Sequence, residues 1–183
     1  MSTTTTTTPT GFADSTVIVE LRGGPDVTLR PVTDTDREPL RAYLEGLGPA
    51  ARYLRFLQAL PEVTDRILDI LTTPPPGTLV LVALDGDEIV GEAILGADHR
   101  DPGLAHIGYS VAERVRRRGL GRAMVHRLLD VARDRGVRTV RAEMAAGNRA
   151  SAALLGSVGA RMRFEDGLIV AEMDCCHHDL AAA

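Results

Sequence analysis

The sequence predicts an α/β (α+β) fold, a mixed sheet flanked by helices, and two observations lead to this prediction. Apolar residues recur with a period of about 3.6 before Gly77 and of about 2 after it, so helices precede a run of strands. Asp85-Gly86 and Asp166-Gly167 each separate two alternating runs, which is a strong signal for a β-hairpin. With 183 residues, 44% of them apolar, the chain can bury a sizeable core.

The first part of the chain predicts one strand and three helices. Val27–Pro31 alternates as a short strand, and Thr33 or Asp34 can cap the helix that follows. Two more helices are predicted over residues 50–60 and 63–71, and the three consecutive prolines at 74–76 end the helix at 63–71. The first helix carries apolar residues at helical spacing, namely Leu40, Tyr43, Leu44 and Leu47.

The second part of the chain predicts six strands and two helices. A long helix is expected after the glycines at 119 and 121, and Gly136 closes it. A short helix is expected from Asn148 to Val158. The strands are expected at residues 78–84, 88–97, 104–112, 137–144, 161–165 and 168–174.

The segment between Val111 and the long helix predicts an anion-binding turn. Gly119 and Gly121 supply backbone geometry that a side chain would block, either a positive φ or a crowded approach. Successive main-chain N–H groups can then turn inward, and the helix adds its free N-terminal donors. Four positive charges stand at the same place, on Arg116, Arg117, Arg118 and Arg122.

The spacing of these residues identifies the kind of turn. A nucleotide P-loop needs a lysine, which this chain lacks, and the dinucleotide fingerprint needs a third glycine where Met124 stands. The remaining pattern, Arg116-x-x-Gly119-x-Gly121 before a helix, resembles the coenzyme A pyrophosphate loop of the GNAT superfamily of N-acetyltransferases. The order of strands and helices is similar to that family as well, and the likeness spans residues 27–174.

The resemblance implies a mixed, mostly antiparallel sheet of six to seven strands flanked by helices. It implies a single acetyltransferase domain over residues 17–176, between a threonine-rich disordered tail at 1–16 and a short tail at 177–183. The tail at 1–16 lacks the basic and apolar parts of a signal peptide. The stretches R-P-V-T-D-T-D and L-G-P-A-A-R-Y-L-R-F also resemble bacterial protein-lysine acetyltransferases.

The resemblance further implies transfer of an acetyl group from acetyl-CoA to a primary amine, by direct attack in a ternary complex. Protein lysine is slightly favoured over a small-molecule amine. The alternative is a non-catalytic acyl-CoA-binding sensor, for two reasons. Leu155 stands where many members carry a tyrosine that can protonate the departing thiolate, and His106 stands where related sequences often carry a glutamate. The implied acetyl-CoA contacts are Val111, Ala112, Glu113, Arg116, Arg117, Arg118, Gly119, Leu120, Gly121, Arg122 and Asn148.

Acetyl transfer to an amine also needs a base, since an amine with a pKa of about 10.4 is almost fully protonated at neutral pH. His106 is the first candidate, because it lies on the strand that leads to the turn and imidazole exchanges protons near neutrality. Glu92 is the second, as an inward carboxylate amid apolar neighbours. Glu143 is a weaker third, and Tyr109 is a candidate acid.

Charge and composition exclude other classes of partner. The net charge of −4 and the six Phe and Tyr residues argue against nucleic-acid binding. No apolar run reaches the length of about 18 residues that a membrane span needs. The only cysteines, Cys175 and Cys176, are adjacent, so we expect a reducing cytoplasm, and they lack the ligand spacing of a zinc site, so we expect no metal. We expect a monomer or a homodimer.

Overall fold

The computed structural model describes residues 16–175, with an eight-stranded sheet at the centre. The strands lie side by side in the order β1-β2-β3-β4-β5-β6-β8-β7. Apart from Thr16, the two predicted tails, residues 1–16 and 177–183, lie outside the described residues. The strands are β1 (Val17–Val19), β2 (Val27–Pro31), β3 (Leu79–Asp85), β4 (Glu88–Ala97), β5 (Leu104–Val111), β6 (Thr139–Ala145), β7 (Arg161–Glu165) and β8 (Leu168–Asp174).

Five α-helices in the described part of the chain cover the two faces of the sheet. Three of them precede β3 and cover one face, and the other two flank β6 in sequence and cover the opposite face. None of the helices within residues 16–175 is long and apolar enough to cross a membrane. The helices are α1 (Arg37–Gly46), α2 (Pro49–Phe56), α3 (Asp65–Thr72), α4 (Leu120–Asp134) and α5 (Arg149–Ser157).

Both faces of the central strands are buried, which creates two apolar cores. Leu81 of β3 packs with Met124 and Leu128 of α4 on one face. Its neighbours Val80 and Val82 pack on the opposite face, with the buried leucines of α1 and α3. Because both faces are covered, β3 has a nearly continuous apolar sequence instead of a strict alternation.

The connection from β2 to α1 is held by a partly buried ion pair. Asp36 is only 4% exposed and accepts two hydrogen bonds of 2.7 Å from the guanidinium of Arg30. Its Oδ2 also accepts the main-chain N–H of Thr33 at 2.7 Å. These donors, Arg30 above all, hold the pKa of Asp36 below its ordinary value. Thr33 is the N-cap residue of a 3₁₀ turn, Asp34–Asp36, and this turn leads into α1.

The predicted fold class is confirmed, and two elements differ from prediction. β1 raises the number of strands from the expected six or seven to eight, and it pairs with β2 at the sheet edge. A strand of three residues is too short to show a period in the sequence. α2 ends at Phe56 instead of residue 60, because Leu57 has a φ of 54° and so leaves the helical conformation.

Candidate active site

A concave run of main-chain N–H groups lies between β5 and α4. Arg117 and Gly119 have positive φ angles of 60° and 103°, whereas Arg118 between them does not. Such an alternation points successive N–H groups toward one side, where they can hold an anion. α4 begins at Leu120, so its free N-terminal donors and positive dipole end lie beside the turn. A Cβ built on Gly119 would meet no atom within 4 Å, which leaves room for a ligand.

The second glycine of the turn has a different role. A Cβ on Gly121 would lie 2.9 Å from the side chain of Leu154, so this glycine lets α4 and α5 pack closely. Leu120 is 1% exposed and belongs to the core, so it offers a ligand only its main chain. A positive φ accounts for glycine at position 119 and close packing accounts for glycine at position 121, which are the two reasons predicted from the sequence.

The arginines of the turn are not neutralised by the protein. None of Arg116, Arg117, Arg118 and Arg122 forms an ion pair with a carboxylate among residues 16–175. The guanidinium of Arg116 donates to the carbonyl of Val111 at 3.1 Å, and that of Arg122 donates to His126 Nε2 at 3.3 Å. The positive charges are therefore available to an anionic ligand.

A groove opens between β5 and β6. The two strands pair in parallel at only three positions, with Leu104, Ala105 and His106 opposite residues 139–141. Beyond that point β6 stays paired with β8, so it is β5 and β6 that diverge. The N–H of Ala112 donates to the carbonyl of Val90 at 2.8 Å, on the β4 side. Main-chain groups alternate along a strand, so those of Val111 and Tyr109 face the groove.

The remaining predicted contacts differ in what they can offer a ligand. The N–H of Ala112 is already used, and Glu113 lies in an exposed 3₁₀ turn. Asn148 caps α5, since its Oδ1 accepts the N–H of Ser151 at 3.2 Å. Its Nδ2 makes no hydrogen bond to the described residues, so capping and ligand binding remain compatible.

His106 lies at the closed end of this groove, on the face covered by α1–α3. Its Nε2 is 3.1 Å from Oδ2 of Asp98, and its side chain is 42% exposed. A cavity of about 320 Å³ adjoins it, bounded by the end of α2 and by β4, β5 and β6. The lining includes Arg55, Leu57, Arg141 and Glu143.

Glu92 is fully buried, and its surroundings differ from those expected. Both of its carboxylate oxygens accept hydrogen bonds from the guanidinium of Arg55, one of them at 3.0 Å. The hydroxyl of Ser110 donates to Oε1 at 2.9 Å, and the hydroxyl of Tyr43 is 2.9 Å from that of Ser110. The expectation of purely apolar neighbours is therefore wrong, because a cation balances this carboxylate. Burial, with the charge of Glu92 adding to it, raises the pKa of Tyr43.

The two candidate bases do not meet. Glu92 lies opposite Ser110 and Gly96 lies opposite His106 in the β4–β5 ladder. Both side chains face the α1–α3 side, but four residues of β5 separate them, which is about 13 Å. Tyr109 points to the other side of the sheet, where burial raises the pKa of its hydroxyl and the nearby side chain of Ser151 opposes this in part.

Comparison with known proteins identifies the family. A family model described as acetyltransferase (GNAT) domain matches residues 26–161. A curated acetyltransferase of Pseudomonas aeruginosa is 32% identical over 152 residues, which cover 79% of this chain and 81% of that protein. The chain belongs to the GNAT acetyltransferase family. It is thus an acetyl-CoA-dependent acetyltransferase.

Solved GNAT structures show the same fold. The GNAT domain of the S. lividans protein PAT aligns with a TM-score of 0.82 at 23% identity, covering 92% of this chain and 99% of that one. The ribosomal-protein-S5-alanine acetyltransferase of Vibrio fischeri aligns with a TM-score of 0.65 at 15% identity, covering 86% and 96%. At these identities the likeness concerns the fold and not the acceptor.

The structure of this GNAT acetyltransferase adds contacts at the site that the sequence did not predict. Arg55 and Ser110 hold Glu92, and Asp98 contacts His106. Arg55 and Glu92 are 37 residues apart and meet only through tertiary packing. The contact of Asp98 with His106 could have been predicted from their positions in the sequence. The antiparallel pairing of β4 with β5 brings residues at the end of β4 beside residues about eight to ten positions further on. Cys176 and the two histidines after it lie outside the described residues, so the absence of a zinc site stays a prediction.

Proposed function

We propose that this enzyme transfers the acetyl group of acetyl-CoA to a primary amine by direct attack in a ternary complex, with protein lysine as the favoured acceptor. The observation that carries the proposal is one continuous path. It runs from the four unneutralised arginines of the turn, along the groove-facing main chain of β5, to the cavity beside His106. Donor and acceptor can therefore approach one point from opposite ends.

The donor end of this path suits acetyl-CoA. A diphosphate matches the N–H groups at Arg117–Leu120 and the adjacent guanidinium groups. An extended arm with amide groups matches the groove-facing main chain of Tyr109 and the N–H of Val111, which would pair with it as with another strand. The carbonyl of Val111 already accepts a hydrogen bond from Arg116. An N–H on this edge would hold the thioester oxygen and stabilise the negative charge that develops there.

The acceptor end suits a cationic amine. Glu143 lines the cavity and forms no ion pair with the described residues, so its carboxylate can attract an ammonium group. His106 would take the proton that the ammonium must lose before it attacks. Glu92 stays the second candidate for this role, at a disadvantage because the guanidinium of Arg55 already engages both of its carboxylate oxygens.

Two exposed side chains support a protein acceptor over a small one. Tyr53 and Leu54 of α2 are 47% and 39% exposed, next to the end of the helix that closes the cavity. Apolar side chains clustered at the rim of a site are typical of surfaces that bind another protein. The cytoplasmic location and the monomeric or dimeric state are part of the same proposal.

Calorimetry with acetyl-CoA and a thiol-release assay with a panel of amines test the proposal. The panel should contain a lysine peptide, free lysine, a peptide with a free N-terminus, spermidine and an aminoglycoside. Because the chain has no lysine, acetylation of its own side chains cannot give a false signal. Release that depends on the lysine peptide supports the proposal, and release only with a small amine contradicts the favoured acceptor.

The alternative of a non-catalytic acyl-CoA sensor is not retained, because the family model and a 32% identical relative identify an acetyl-CoA-dependent acetyltransferase. Leu155 is 1% exposed and fills the core where many members of the family carry a tyrosine acid, so no tyrosine at this position protonates the departing thiolate. Tight binding of acetyl-CoA without thiol release for any amine of the panel would contradict the proposed transfer to a primary amine.

A further inference from the structure

The loop after β4 holds Asp98 in one orientation. Oδ1 of Asp98 accepts the main-chain N–H groups of Arg100 and Asp101, at 2.8 and 2.9 Å. The main-chain N–H of Asp98 donates to the carbonyl of Leu104 at 3.0 Å, which closes the loop. With Oδ1 engaged in this way, Oδ2 is directed at the imidazole of His106, 3.1 Å from Nε2.

The charge state of Asp98 determines which ring nitrogen carries the proton. The two main-chain donors, Arg100 first, and then His106 lower the pKa of Asp98 to about 2, so it is a carboxylate at neutral pH. A carboxylate can only accept a hydrogen bond, and Nε2 must therefore donate. In a neutral imidazole the other nitrogen, Nδ1, then has the free lone pair.

We infer that Asp98 is a positioning residue, which fixes the ring of His106 so that Nδ1 receives the proton of the acceptor amine. The inference rests on the proposed function, in which His106 is the base. The ammonium gives one proton to Nδ1, and the nitrogen lone pair forms the N–C bond at the thioester carbonyl. The C–S bond breaks with its electron pair on sulfur, which takes the second proton from nitrogen. The products are the amide and the thiol, and the imidazolium returns its proton to solvent.

None of the other charged groups near His106 in the described part of the chain orients its ring. The two arginines are paired with carboxylates of their own, and the remaining carboxylate makes no hydrogen bond to the imidazole. Arg141 faces it from β6 and is paired with Glu172 at 2.8 Å, and Arg55 from α2 is paired with Glu92. Glu143 lines the same cavity without a hydrogen bond to the imidazole. Asp98 is thus the one carboxylate among the described residues that orients this ring, and its charge stabilises the imidazolium that forms.

The substitution Asp98→Asn tests this inference. Asparagine can keep its Oδ1 on the two main-chain donors, but its Nδ2 then donates toward His106. Nε2 of the ring must then accept this hydrogen bond, so the neutral imidazole carries its proton on Nδ1. With Nδ1 protonated, the ring cannot take the proton of the acceptor amine there. Asp101→Asn is the matched control, because Asp101 lies in the same loop, where its carboxylate accepts from Gly103 and Arg138 and does not contact His106.

We expect Asp98→Asn to lower kcat with the lysine peptide about ten- to hundredfold, with the KM for acetyl-CoA unchanged and Asp101→Asn close to wild type. The acidic limb of the pH–rate profile should move to lower pH, because the imidazolium has lost its carboxylate. In ¹⁵N NMR of the free protein, the ring signal that disappears in His106→Gln should show the proton on Nε2 in the wild type and on Nδ1 in the variant.

Three results separate the inference from the function on which it rests. If kcat of Asp98→Asn stays within twofold of Asp101→Asn while His106→Gln is slow, the inference is wrong and the base assignment stands. If His106→Gln turns over at the wild-type rate, the base assignment fails and the inference falls with it. A wild-type ring with its proton on Nδ1 overturns the inference whatever the acceptor, because this readout needs no turnover.

Discussion

Glu92 lies on β4 and Asp98 lies in the loop that joins β4 to β5, yet the two carboxylates differ in burial and in the kind of partner that they contact. Glu92 is fully buried, and the guanidinium of Arg55 and the hydroxyl of Ser110 satisfy its oxygens. Asp98 is 26% exposed, and its partner is the half-exposed imidazole of His106. The first pair joins a carboxylate to a guanidinium, which can only donate hydrogen bonds, whereas the second joins a carboxylate to an imidazole, which can donate or accept a proton.

The difference separates a structural pair from one suited to catalysis. Removing either charge from the Arg55–Glu92 pair leaves the other buried without compensation, so we assign this pair a structural role. It fastens α2 to the sheet, and a Cβ on Gly108 would lie 2.8 Å from the Arg55 guanidinium. The imidazole of His106 is instead 42% exposed to solvent, which suits the proposed base because it must return its proton after each turnover.

The largest expected effect is on stability, from Arg55→Met. We expect the free energy of unfolding to fall by about 3–5 kcal/mol, since the carboxylate of Glu92 stays buried without its cation. Urea denaturation measures this loss. Arg66→Met is the control, because Arg66 is exposed on α3, and it should change the free energy by less than about 0.5 kcal/mol. A loss below about 1 kcal/mol for Arg55→Met would show that the pair does not fasten α2.

The next effect is on turnover, from His106→Gln. We expect kcat to fall about a hundredfold with the affinity for acetyl-CoA unchanged, because the base is lost and the anion turn is intact. Steady-state thiol release and calorimetry measure the two quantities, with His99→Gln, an exposed neighbour in the loop, as control. If a folded Glu92→Gln variant lost more kcat than His106→Gln, the catalytic role would belong to the Arg55–Glu92 pair and not to the Asp98–His106 pair.

A third carboxylate, Asp36, gives a pH test of the same contrast. Its folded pKa is depressed, chiefly by Arg30, so its stabilising effect is present above the ordinary aspartate value of about 3.9 and is lost as the pH falls through the folded value. Asp36→Asn should therefore lower the free energy of unfolding by about 2 kcal/mol at pH 7, and this loss should shrink progressively as the pH falls below about 3.9. A series of denaturation curves from pH 7 downwards checks this, and a loss that does not depend on pH would assign the effect to packing.

The smallest expected effect is on donor binding, from Gly119→Val. Valine disfavours the φ of 103°, so the N–H groups of the turn lose their direction and the Kd for acetyl-CoA should rise about tenfold. Gly136→Val is the matched control, since Gly136 has a φ of 73° and open space at the far end of α4. Equal affinities in the two variants would mean that the turn does not hold the donor.

The sequence was sufficient for features that depend on neighbouring residues. The two Asp-Gly turns, the helix after Gly119 and the apolar faces are local, and their prediction is confirmed by the fold. The end of α2 was missed because Leu57 is a non-glycine residue in a left-handed conformation, which no local rule indicates. The partner of Glu92 was missed because an inward carboxylate reveals its burial but not which distant arginine balances it.

The short parallel pairing of β5 with β6 has a consequence for amide hydrogen exchange. Along the outer half of β5, alternate N–H groups face β4 and are protected by its carbonyls, whereas those of Tyr109 and Val111 face the groove. Neighbouring amides of one strand should therefore exchange at very different rates in the free enzyme. A donor lying along this edge would slow only the fast set, so the amides of Tyr109 and Val111 report whether the groove is occupied.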